Sequence, residues 1–131
     1  MDAFTLDDLA RQLAESGQPY LEFLRRRTLS CGLYVLPAFS QDRQQPHTED
    51  EVYYVVSGHA TISVAGDEQP VGPGSVVFVG ANAEHHFQAI TEDLVTLVFF
   101  APPQGSRASG PRRRRRRART RRAAAPADSA G

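Results

Sequence analysis

PHTEDEVYYVVSG, residues 46–58, and GSVVFVGANAEHHF, residues 74–87, decide the fold of this chain. Each passage sets potential metal ligands beside a short apolar run bounded by glycine, the pattern of a strand between turns. Together they supply His47, Glu51 and His85. Two imidazoles and one carboxylate suit a divalent first-row transition metal.

Strand signals continue on both sides of these passages. Upstream, apolar residues from Tyr20 to Val35 predict two strands joined near Arg27 to Ser30. Further strands are predicted at 51–57, 59–64, 69–71, 76–79, 85–90 and 94–100. Turn chemistry separates them at Ser57-Gly58, Gly66-Asp67, Gly72-Pro73-Gly74, Ala81-Asn82 and Thr91-Glu92-Asp93. Short strands broken at such intervals point to an all-β fold, an antiparallel barrel or sandwich.

The first nineteen residues read differently. Thr5 is placed as a helix N-cap, with Asp8 completing a capping box and Phe4 positioned to staple against Leu9. Leu6, Leu9, Ala10 and Leu13 fall on one face, and Gly17 with Pro19 closes the element. The pattern predicts a short helix over 6–16, packed outside the sheet.

A net charge of zero conceals two dissimilar parts. Up to Pro103 there are 14 acidic residues and 5 arginines, whereas from Gln104 onward 10 arginines face one acid. The chain has no lysine, a bias that GC-rich coding produces unaided. Residues 104–131 contain no Val, Ile, Leu, Phe or Tyr. Such a segment has nothing to offset the entropy of ordering, so the reading is a barrel over 20–103 and a disordered Arg-rich tail over 104–131. Arg112 to Arg117, with Arg119, Arg121 and Arg122, would contact nucleic-acid phosphates without reading sequence. A solvated appendage, a segment resting on the acidic body, and the product of a shifted reading frame are the competing readings, and the appendage and frame readings are favoured over nucleic-acid contact.

Cys31 is alone, which excludes an internal disulfide framework, and the chain opens without a charged-then-apolar leader. The expectation is cytoplasmic. No apolar run is long enough for a transmembrane helix, and no nucleophile elbow or phosphate loop occurs.

At the two opening passages the chain resembles the cupin family. The family's first motif runs glycine, five residues, His-x-His, three or four residues, glutamate, six residues, glycine. Here His47, three residues, Glu51, six residues and Gly58 match, while Phe39 replaces the first glycine and Gln45 the first histidine. In the second motif Gly74 and His85 keep their separation, with Gly80 in place of proline, Asn82 of glycine and Ala89 of asparagine.

The resemblance implies a double-stranded β-helix of the jelly-roll type, and an iron, manganese, zinc or nickel ion on His47, Glu51 and His85. Gln45 would be a weak fourth ligand or would bond a metal-bound water. Glu49 is the alternative carboxylate, disfavoured by its spacing to Gly58. Tyr53, Phe78 and Phe87 are candidates for pocket walls, with at least two of them expected in the core. His86 and His59 are expected to face outward. Oxygenase, isomerase and lyase chemistries all occur on the scaffold, which cannot choose among them. A noncatalytic module holding a small ligand or metal is the alternative, and a homodimer is implied in either case.

Overall fold

The structure, a computed structural model, describes residues 1–109. The polyarginine run and the disorder expected of it lie outside these residues. Helix α1 spans Leu6–Ser16 and begins as its sequence predicts, with Thr5 extended and its hydroxyl accepting the Asp8 amide at 3.2 Å. It ends at Gly17, left-handed at φ 71°. Only Leu9 and Leu13 of its apolar face are buried. Phe4 stacks edge-on against Phe23.

Eight strands follow: β1 (Tyr20–Arg25), β2 (Ser30–Leu36), β3 (Asp50–Ser57), β4 (Ala60–Val64), β5 (Asp67–Val71), β6 (Val76–Val79), β7 (His85–Gln88) and β8 (Leu94–Ala101). A final short helix, α2, covers Ser106–Ser109. All strand pairings are antiparallel. They form a five-stranded sheet, β1-β2-β8-β3-β6, and a three-stranded sheet, β5-β4-β7.

Alternation decides what each sheet encloses. On β8, Leu94, Thr96, Val98 and Phe100 are buried while Phe99 and Ala101 are exposed. Glu51, Tyr53 and Val55 on β3 are buried. Leu94, Val98, Phe100, Tyr53 and Val55, with Ile62, Val79 and Phe87, build a core containing side chains from both sheets. A second cluster on the opposite face of the larger sheet joins Leu9 and Leu13 of α1 to Leu33, Leu21, Phe23, Val35, Val95 and Leu97. The helix therefore covers only part of that face. Tyr53 and Phe87 are core residues as expected, whereas Phe78 is exposed, because its parity on β6 matches that of exposed Val76.

Sharp turns place non-glycine residues in the left-handed region at Phe39, Ala65, Asn82 and Ala89. Three of these are positions where the chain departs from the cupin motifs, so the backbone retains a geometry that its side chains disfavour. Gly58 cannot depart in this way. Its φ is 91°, and a Cβ there would lie 2.3 Å from the Asp93 carbonyl oxygen.

Among the described residues, contacts with the barrel continue past the expected boundary at Pro103. Glu49 is buried, and its carboxylate accepts the amides of Gly105 at 2.9 Å and Arg107 at 3.1 Å as well as the Thr48 hydroxyl. The Gln104 amide donates to Ser30 Oγ and its carbonyl accepts Arg25. Composition did not reveal this strap because backbone amides, present in any sequence, make its contacts.

Replacing Ala89 by glycine removes left-handed strain at an exposed position and is expected to raise stability by about 0.5–1 kcal/mol in urea denaturation. Gly58→Ala is expected to lower it by more than about 2 kcal/mol, since steric overlap adds to an unfavourable φ.

Candidate metal centre

His47 lies in the irregular loop before β3, Glu51 is the second residue of β3, and His85 opens β7 in the other sheet. Three contacts draw these segments together. Glu51 pairs with Val79 on β6, the Asn82 amide donates to the His47 carbonyl at 2.6 Å, and the Ala81 amide donates to Asp50 Oδ1 at 2.9 Å. The turn leading to His85 is thus bonded to the loop that carries His47 and Glu51. One nitrogen of each imidazole and one carboxylate oxygen of Glu51 lie within 4.8 Å of one another.

His85 Nδ1 lies 2.9 Å from the Ala83 carbonyl oxygen. A carbonyl can only accept, so Nδ1 carries the proton and Nε2 of the neutral ring presents its lone pair. That nitrogen faces Glu51 Oε1 at 3.1 Å. Both atoms are buried, and neither has a hydrogen-bond partner among the described residues. Two acceptors opposed at this distance require a positive centre: a proton or a cation. Neighbouring ligand atoms on a first-row metal with bonds of about 2.1 Å at right angles are about 3.0 Å apart, so the spacing fits a metal edge. The proton alternative is visible as well: burial lowers the His85 pKa, but Glu51 and the Ala83 carbonyl together raise it above the ordinary histidine value. Burial holds His47 below that value despite Glu51.

Beside the three residues is a cavity of about 170 Å³, lined by Tyr20, Tyr34, Gln44, His47, Glu51, Tyr53, Val98, Phe100 and Gln104. Gln45 is exposed, correcting the expectation that its carboxamide would serve the site. The motif position that pointed to it falls in an irregular loop, where Gln44 turns inward instead. Gln44 Nε2 donates to Asp42 Oδ2 at 2.7 Å, leaving its oxygen to accept Tyr53 Oη at 3.0 Å, 3.3 Å from His47 Nε2.

Asp42, which sequence reasoning missed, is the anchor of this arrangement. It is buried and accepts Tyr34 Oη at 2.6 Å, the Phe87 amide at 2.8 Å and the Gln44 amide at 3.2 Å in addition to the Gln44 side chain. A lone aspartate in a polar loop carries no signal of this role. Glu49 bonds the strap after β8 and is absent from the His–Glu–His group, in agreement with the spacing argument for Glu51. His86 is half-buried and contacts Gln88, and His59 is exposed beside Glu92.

The cupin domain family profile matches residues 33–100. An uncharacterized protein of Streptomyces coelicolor is 50% identical over 104 residues, covering 79% of this chain and 99% of the relative. Among solved structures, the TT1209 protein of Thermus thermophilus superposes with a TM-score of 0.64 at 25% identity, over 79% of this chain and 99% of that one. The DMSP lyase DddQ of Ruegeria pomeroyi gives a TM-score of 0.55 at 22% identity over 58% of this chain. This chain spans 39% of that lyase's length, and the likeness is one of fold.

Asp42→Ala leaves four donor groups without their acceptor. The expected cost is about 3 kcal/mol or more, measured as a shift of the urea midpoint at constant slope. Asp42→Asn, which retains one acceptor oxygen, is expected to fall between this variant and the native chain.

Proposed function

The chain belongs to the cupin domain family, and from that premise we propose that His47, Glu51 and His85 bind a divalent transition metal beside a pocket for a small molecule. The observation carrying this reading is the opposed pair of buried acceptors, Glu51 Oε1 and His85 Nε2. A cation on this group would supply Lewis acidity or a site for oxygen chemistry, with coordination positions left open.

The protein's own groups prepare the site. Ala83 fixes the His85 tautomer, and Asp42 fixes the orientation of Gln44. Gln44, and not Gln45, then serves as weak fourth ligand or as partner to a metal-bound water. Tyr53 holds the Gln44 oxygen and remains a phenol, because burial followed by the nearby Glu51 charge raises its pKa well above the ordinary tyrosine value. Val98 and Phe100 give the cavity apolar walls.

The proposal includes a homodimer. Outside the area that α1 covers, Tyr54, Val76, Phe78 and Phe99 are exposed on the outward face of β3, β6 and β8, and β6 ends its sheet. No helix among the described residues is long and apolar enough to cross a membrane.

Metal analysis of tag-free protein tests the centre. Native protein and Gln45→Ala are expected to contain equal metal; Gln44→Ala less; His47→Ala and His85→Ala little. Equal content in all five refutes the assignment. Chelation is expected to lower the melting temperature reversibly, since metal at a hundred times its dissociation constant stabilises by about 2.7 kcal/mol. For the dimer, Phe78→Glu is expected to give monomers in sedimentation equilibrium, whereas the native chain sediments as a dimer.

A further inference from the structure

Three phenols enter the cavity, and two of them are engaged within the protein. Tyr34 donates to Asp42 and Tyr53 to Gln44. The Tyr20 hydroxyl is buried and has no hydrogen-bond partner among the described residues. Buried hydroxyls seldom remain unbonded, because nothing offsets the loss of their hydration.

The fold nevertheless holds this hydroxyl in place. Tyr20 opens β1 opposite Tyr34, and the two rings meet edge-on with centroids 6.2 Å apart. Its ring occupies the space that a side chain on Gly32 would need: a Cβ there would lie 2.1 Å from both Tyr20 Cζ and Oη. The glycine on β2 thereby admits the ring to the barrel interior. Burial, with Glu22 and then Glu51 adding to it, raises the Tyr20 pKa well above that of free tyrosine, so the group is a donor at neutral pH.

Size and lining narrow what the hydroxyl can meet. An apolar cavity of about 150 Å³ accepts benzene, so the 170 Å³ here suits a molecule of about six non-hydrogen atoms. Among the described residues no arginine lines the cavity, so the countercharge for an anionic group would come from the metal position. We propose that Tyr20 is a ligand-binding residue whose hydroxyl donates to an oxygen of a small carbonyl or hydroxy acid seated between Tyr20 and the His47–Glu51–His85 group. This rests on the metal reading above for the carboxylate end of the ligand, and on Tyr20 alone for the other end.

The test compares the full-length native protein with Tyr20→Phe, both loaded with Zn²⁺ and assayed for metal. Pyruvate and isobutyrate are titrated calorimetrically; each has six non-hydrogen atoms, and a methyl group in isobutyrate replaces the keto oxygen. Native protein is expected to prefer pyruvate. Tyr20→Phe is expected to bind pyruvate about tenfold more weakly, with isobutyrate changed less than about twofold. Without ligand, Tyr20→Phe is expected to melt at or above the native temperature, because it removes an unsatisfied hydroxyl; Tyr34→Phe, which strips a donor from Asp42, is expected to melt lower. A melting temperature for Tyr20→Phe several degrees below native assigns the hydroxyl to the fold and overturns the proposal. Equal losses for both probes, no loss for either, or no binding of either to metal-loaded native protein also overturns it. If the native protein holds no metal yet its pyruvate preference depends on Tyr20, the metal reading fails and the Tyr20 assignment stands.

Discussion

A buried carboxylate must be surrounded by donors, and in this barrel that requirement at Asp42 organises the site. Its two oxygens receive four hydrogen bonds, from β2, from β7 and from the loop that carries it. Charge-assisted bonds of this kind are stronger than neutral ones, and removing one partner leaves another polar group stranded. The loop before β3 is consequently tied to both sheets. Gln44 can present only its oxygen to Tyr53 and His47, because its nitrogen is committed to Asp42.

A second constraint acts through the backbone. The turn at Asn82 donates to the His47 carbonyl, so the turn before one proposed ligand supports the loop of another. Asn82 performs this in a left-handed conformation, as do Phe39 and Ala89 at other departures from the family motifs. These three departures therefore put side chains at positions whose left-handed backbone disfavours them, which raises the local energy. Glu49 repeats the logic after β8, where it binds the amides of Gly105 and Arg107 and so helps to hold the segment that brings Gln104 to the cavity wall.

Much of the fold was legible from short patterns. The Thr5 cap and Gly17 stop located α1, and turn residues located eight strands close to their observed bounds. His47, Glu51 and His85 were legible because two of the three sit on strands, where spacing maps onto facing. Gln45 holds the motif's first-histidine position, yet in this irregular loop motif spacing does not set facing, and the residue one place earlier points inward. Phe78 was misread as a wall candidate because its parity on a four-residue edge strand became evident only from the pairing of β6 with β3.

The sequence by itself determined the strands, their turns and the order of the ligand-bearing segments, since backbone propensity and alternation act over a few residues. The tertiary structure alone decided which polar groups share the interior. Asp42 meets Phe87 across 45 positions, and Glu49 meets Gly105 across 56. Tyr20 enters the cavity because a glycine stands on the neighbouring strand. No local pattern encodes such meetings, because the desolvation that makes each one necessary arises only when the two sheets close.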